Sequence, residues 1–293
     1  MTDIGIMMFA TDEAIQPADL ARAVEERGFE SLFLPEHTHI PSSRETPFPG
    51  GGDLPREYSH LHDPFVALTA AAAVTSQIKL ATGVCLVAQR DPIATAKAVA
   101  SLDQISGGRF IFGIGAGWNA EELANHGVAF QDRWLVVREH VQAMRALWTQ
   151  DEAEYHGRFV DFDPVWSWPK PVQPGGPPIL LGSNATKWAY ARIAEYCDGW
   201  MPLPGRSDLT RAIPELETTA ANFGRTMDSI SLTAFNPWPK ADPAAREQHA
   251  RDLIGLGFQR LVLGVPPAPA ATVLPLLDAY AELAAKLTAE ETR

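Results

Sequence analysis

"GGRFIFGIGAGW", residues 107–118, decides the fold. An apolar stretch at 110–114 runs into glycines at 113, 115 and 117, and a helix can follow. Such a passage opens a dinucleotide-binding domain when its glycines fall as G-x-G-x-x-G. Counted from Gly113, the third glycine should stand at 118, which is Trp118; counted from Gly115, it should stand at 120, which is Ala120. The stretch is also the fourth strand-like run of the chain, not the first. Spacing and order exclude the fingerprint and leave one strand of a larger parallel sheet. There the glycines leave room for a flat ring or a nearby backbone at a barrel mouth, or they relieve crowding inside the barrel.

The rest of the chain supplies the companions. Strand-like runs lie near 3–9, 30–35, 78–87, 109–115, 178–182, 197–202, 229–235 and 259–264. Several are continuously apolar, as strands buried on both faces of a parallel sheet must be. Helical runs fill the gaps near 17–27, 64–76, 92–106, 132–149, 185–196, 208–223, 243–256 and 271–288. Three open on Asp-Pro, at Asp63, Asp91 and Asp242: the Asp caps free amides, and Pro takes the first helical position. "GFESLFL" at 28–34 and "GFQRLVL" at 257–263 look like one helix-to-strand joint used twice. Eight strands alternating with eight helices, with right-handed crossovers, predict a single α/β domain over residues 1–293, a (β/α)8 TIM barrel. Two segments break the rhythm, 36–62 and 151–177, the second with a hairpin at "EYHGRFVDF". Counting the 132–149 helix as part of the second, both follow strand C-terminal ends, so both are expected to be lid-like insertions on the active face.

Composition bounds the partners. The 293 residues carry 24 basic and 36 acidic side chains, a net charge of −12, which argues against nucleic acid. Cys85 and Cys197 form no C-x-x-C pair, so two reduced thiols in a cytoplasmic protein are expected. The acidic N-terminus is unlike a signal peptide, and no run of 18 apolar residues predicts a membrane span.

The 81–123 block, "ATGVCLVAQRDPIATAKAVASLDQISGGRFIFGIGAGWNAEEL", resembles the core signature of the bacterial-luciferase-like monooxygenases. "LPEHTHIPSSRETPFPGG" and "PILLGSNATKWAYARIAEYCDGWMP" are similar to its single-component branch dependent on the deazaflavin coenzyme F420. The resemblance implies a flavin-like tricycle lying across the C-terminal strand ends, with its phosphate near the loop after strand five. It also implies a non-proline cis peptide at Gly83–Val84, behind the ring, which brings in Thr82, Gly83 and Val84 as cofactor contacts with Gly115 and Gly117. A homodimer is implied too, with the Trp/Met-rich helix at 132–149 as a contributor. FMN is the alternative cofactor, delivered reduced by a separate flavin reductase to a monooxygenase. A non-catalytic flavin-binding barrel is the third reading.

Individual residues can carry the chemistry. Glu36 and His37 end strand two, where polar residues of a barrel read as catalytic. His37 is the candidate acid/base for the small-molecule substrate, and Glu36 would bond the ring or orient the imidazole; solvated loop residues are the plain alternative. His37 and His39, and His60 and His62, form two H-x-H pairs, but no Cys or carboxylate set joins them and no metal is expected. Gly182, Ser183 and Asn184 join strand five to its helix, where free amides bind phosphate or Ser or Asn merely caps. Trp118 stacks on the ring, walls the substrate pocket or packs as core. Some sugar-phosphate-oxidising relatives carry a catalytic Glu near that place; Glu121 and Glu122 stand close by in a different register. Trp166, Trp168 and Trp200 lie in or near the expected lids, where they suit an apolar or planar substrate or equally belong to the core or an interface.

Overall fold

In the computed structural model, residues 2–237 and 243–291 are described. The apolar runs form parallel strands β1 (Asp3–Met7), β2 (Ser31–Leu34), β3 (Lys79–Thr82), β4 (Cys85–Leu86) and β5 (Phe110–Gly115). After a hairpin of β6 (Ala153–His156) and β7 (Asp161–Val165) come β8 (Ile179–Gly182), β9 (Gly199–Met201), β10 (Ser231–Phe235) and β11 (Arg260–Gly264). The sheet order is β3-β2-β1-β11-β10-β9-β8-β5-β4, and the β3–β5 pairing closes it. β3 and β4 are two halves of one barrel strand, broken at Gly83–Val84, so the barrel has the eight strands the sequence predicts.

The helices are α1 (Pro17–Glu26), α2 (Pro64–Ala72), α3 (Pro92–Ser106), α4 (Ala120–Asn125), α5 (Arg133–Thr149), α6 (Lys187–Tyr196), α7 (Leu209–Asn222), α8 (Pro243–Gly255) and α9 (Ala270–Glu291). Asp63 and Asp91 cap α2 and α3 as expected, while Asp242 lies outside the described residues. The repeated joint is real: Gly28 and Gly257 both take positive φ, at 75° and 90°. α4 is the one described α-helix absent from the sequence reading. Its start signal was present, since Asn119 accepts a bond from the Glu122 amide at 2.9 Å.

Inside the barrel, Met7, Phe33, Ala81, Ile111, Leu180, Met201, Phe235 and Val262 form one apolar plug, one residue from each barrel strand. A larger core lies between strands and helices. The plug makes the barrel solid and leaves only its C-terminal mouth for a ligand.

The segment 151–177 departs from expectation. Its hairpin lies against α5, where the Glu139 carboxylate accepts from the amides of Arg158, Phe159 and Val160 at 3.1, 2.7 and 3.1 Å. The chain then runs along α3: Gln104 donates to the Lys170 carbonyl, and the Val172 and Gln173 amides donate to Asp103. It is thereby carried away from the mouth to the start of β8. Trp166 is 79% exposed, neither it nor Trp168 reaches the cavity, and Trp200 is fully buried in the core. The α5 stripe also faces inward, with Val137, Val141, Met144 and Trp148 buried and Trp134 at the cavity, so the side chains expected at a dimer contact are spent inside.

Candidate active site

A cavity of about 460 Å³ opens at the C-terminal strand ends, a size that suits a ring and a small substrate. Of the residues expected there, Glu36, His37, Gly83, Val84, Gly115, Gly117, Trp118, Gly182, Ser183 and Asn184 all line it. Thr82 does not. It is fully buried, and its hydroxyl donates to the Gly113 carbonyl at 2.7 Å, tying β3 to β5 beneath the floor.

Gly115 and Gly182 are explained by one neighbour, Val84. The Gly83–Val84 peptide is cis, as expected, and Val84 stands at the mouth. A Cβ on Gly182 would lie 2.4 Å from Val84 Cγ1, and one on Gly115 would lie 2.7 Å from Val84 Cγ2. A Cβ on Gly113 would meet the Thr82 carbonyl oxygen at 2.0 Å. Gly113 therefore relieves crowding within the barrel, while Gly115 and Gly182 make room for Val84 to form the cavity floor.

His37 and Glu36 are both buried at the rim, but they do not orient each other. The Glu36 carboxylate accepts from the Leu86 amide at 2.7 Å and from Arg90 Nε at 2.6 Å. Arg90 also reaches Asp63 at 2.5 Å, so one guanidinium joins the strand-two carboxylate to the α2 cap. Burial first, then the Glu36 charge, pushes the Cys85 thiol well up, which keeps it protonated. Glu36 thus fixes the β3–β4 break. The expectation that Glu36 orients the imidazole is corrected: that carboxylate is Glu122, from α4. His37 Nδ1 donates to Glu122 at 2.9 and 3.1 Å, and Glu122 is wholly inaccessible. With Nδ1 committed, Nε2 has no hydrogen-bond partner among the described residues and remains for the cavity. The preceding residue clamps the 36–62 segment: the Thr46 amide donates to Glu121 at 2.6 Å, and the Thr46 hydroxyl donates to the same carboxylate.

That segment supplies a wall the sequence reading missed. Phe48, Pro49 and Tyr58 line the cavity with Phe9 and Trp118. Trp118 meets His37 edge-on at 5.9 Å between ring centroids, so it walls the pocket beside the imidazole. No strand or helix periodicity marks these loop aromatics.

At the opposite end, Gly182–Asn184 leads into α6. The cap is neither Ser183 nor Asn184 but Thr186, which accepts from the Ala189 amide at 3.1 Å. Ser183 Oγ is left buried and without a partner. An orphaned hydroxyl beside a helix N-terminus fits a phosphate oxygen. Arg206 is the only Lys or Arg lining the cavity among the described residues. Two of the H-x-H histidines spend both ring nitrogens on protein: His39 on Thr38 and Asn125, His60 on Asp12 and Arg56. Cys85 and Cys197 are free and buried. Among the described residues, no helix is long and apolar enough to cross a membrane.

A closed (β/α)8 barrel with a ring-sized cavity, a broken third strand and a carboxylate-anchored histidine defines a class of barrel with ligand chemistry at its mouth. Residues 10–291 match the family model described as luciferase-like monooxygenase, and the chain belongs to that family. It is 43% identical over 288 residues to the uncharacterised protein Rv0953c of Mycobacterium tuberculosis, covering 97% of this chain and 98% of that one. Its fold is similar to the monooxygenase RslO1 from Streptomyces bottropensis, with TM-score 0.77 and 21% identity over 96% of this chain and 98% of that one. It is equally similar in fold to an F420-dependent secondary alcohol dehydrogenase solved with an F420–acetone adduct, with TM-score 0.75 and 17% identity over 96% and 98% of the two chains.

Proposed function

We propose that this chain is an oxidoreductase that binds coenzyme F420 across the barrel mouth and exchanges a hydride with a small organic substrate. The observation that carries the reading is His37: Nδ1 is held by buried Glu122, while Nε2 is free at the cavity. The deazaflavin, when bound, supplies the hydride chemistry. Val84 would support the ring, while Ser183 and the amides at the start of α6 would hold its phosphate. His37 Nε2 would give a proton to the substrate oxygen in reduction or take it in oxidation, and Glu122 would stabilise the imidazolium form that carries it. The F420-dependent alcohol dehydrogenase among the structural neighbours supports this choice of cofactor.

A second reading keeps the site and changes the cofactor to FMN, with a separate reductase and oxygen as co-substrate. It is favoured by the cavity lining, where among the described residues Arg206 is the only Lys or Arg available to an anionic tail. Fluorescence titration of the purified chain with both cofactors separates the two. Binding of F420 with weak or absent FMN binding is expected; tight FMN binding alone reverses the choice. His37→Ala should abolish turnover with cofactor affinity kept. Turnover at the wild-type rate would remove His37 from the mechanism, and no turnover by the wild-type chain with either cofactor would leave a non-catalytic barrel.

A further inference from the structure

Tyr58 is placed with care for a loop residue. It lies in the single turn Arg56–Ser59. Arg56 pins that turn to Glu13 at 2.5 Å, His60 pins it to Asp12 at 3.0 Å, and the His62 amide donates to the Ala10 carbonyl at 2.9 Å. The ring is tilted 48° to Phe9 at 4.9 Å and packs edge-on to Phe48 at 5.2 Å. It stands 5.3 Å from the His37 ring and 6.4 Å from Trp118. The turn is therefore fixed to the loop after β1, and its aromatic ring is fixed beside the imidazole.

The polar end of that ring has no structural duty. Its hydroxyl has no hydrogen-bond partner among the described residues, although Tyr58 lines the cavity. Burial pushes the phenol above its ordinary value, Glu57 adds to the effect and Arg206 opposes it, so the oxygen keeps its proton. A protonated phenol within an otherwise apolar wall is a hydrogen-bond donor that needs an acceptor from outside the protein.

We propose that Tyr58 is a substrate-binding residue whose hydroxyl donates to the substrate oxygen, while Phe9, Phe48 and Trp118 hold an apolar or aromatic group attached to the same carbon. The substrate class is a ketone or secondary alcohol with an apolar flank. This rests on the oxidoreductase reading, since the oxygen in question is the one whose proton His37 exchanges. Two donors on one oxygen, Tyr58 and His37, fix the carbon between them over the floor at Val84.

The test uses acetophenone, which has the oxygen and the flank, and ethylbenzene, which has the flank alone. Dissociation constants are measured by tryptophan fluorescence on the full chain, with and without whichever cofactor binds. Tyr58→Phe should weaken acetophenone by about two- to tenfold, the worth of one neutral hydrogen bond, and leave ethylbenzene and the cofactor unchanged. Phe48→Ala should weaken both probes together. Equal affinity of wild type and Tyr58→Phe for acetophenone overturns the proposal, as does a Tyr58→Phe loss shared by ethylbenzene, or no acetophenone binding to the wild type. If neither cofactor binds the wild type, the oxidoreductase reading fails; the acetophenone-to-ethylbenzene ratio in the cofactor-free chain then still decides for or against Tyr58.

Discussion

Gly182→Ala is the sharpest perturbation of the cavity floor. Gly182 has no positive φ, so alanine fits its backbone and the effect is one of contact alone. The added Cβ would stand 2.4 Å from Val84 Cγ1, with the Ile114 carbonyl oxygen at 3.4 Å and Met201 Cε at 3.7 Å. Ordinary carbon contacts lie near 3.5–4.0 Å, so Val84 must retreat by about 1 Å into the mouth. Overpacking of this kind costs about 1–3 kcal/mol, which lowers Tm by several degrees at this chain length. The same movement lifts the surface beneath the ring, so cofactor affinity should fall by about tenfold, about 1.4 kcal/mol. The account is specific to one neighbour, so a double-mutant cycle tests it. Val84→Ala removes the colliding methyls, and Gly182→Ala/Val84→Ala should be more stable than the sum of the two single changes predicts by about 1 kcal/mol or more. Thermal unfolding and cofactor titration of the four proteins give the cycle. Additive effects on both readouts, or a Gly182→Ala protein with wild-type Tm and affinity, would refute the assignment of this glycine to Val84.

Three further outcomes follow from the same geometry. Glu122→Gln exchanges a charge-assisted bond to His37 for a neutral one, worth about 1 kcal/mol, so kcat should fall by several-fold to tenfold with cofactor affinity kept; steady-state kinetics with an unchanged kcat would remove Glu122 from its positioning role. Ser183→Ala should weaken F420 by a few-fold and leave its deazariboflavin chromophore, which has no phosphate, unaffected in fluorescence titration; equal losses for both would place the phosphate elsewhere. At the base of the barrel, burial alone would raise the Glu30 carboxyl, but Arg260, then Lys79 and Ser31, hold it down at about 2. A depressed carboxyl stabilises the fold above its unfolded value of 4.5 and loses that contribution as pH falls towards 2. The amount is about 3 kcal/mol, and Glu30→Gln should remove the corresponding acid-side slope from a pH series of urea unfolding curves.

The barrel was legible because its signal is local. Continuous apolar runs, Asp-Pro helix starts and glycine-ended helices each act within a few residues, and the eight barrel strands fall where those cues stand. The hairpin of segment 151–177 is legible, but its path is not, because loop length reports that a chain travels, not which way. Its path down α3 is set by Asp103, Gln104 and Lys170, contacts that no spacing rule connects.

The histidine's partner marks the same limit within the site. Adjacency suggested Glu36, but consecutive side chains on an extended backbone leave in opposite directions, so neighbours at a strand end seldom bond each other. That rule alone weighs against Glu36 and calls for a carboxylate brought from elsewhere in the chain. Asn119 and Glu122 stand three residues apart, the spacing of a helix start, and a helix there turns Glu121 and Glu122 in different directions. One carboxylate then anchors Thr46 and with it the aromatic wall; the other anchors His37. A short helix, α4, thereby positions both His37 and the aromatic wall beside it. Disrupting its cap with Asn119→Ala should therefore impair kcat and substrate affinity together, whereas Glu122→Gln should impair kcat alone.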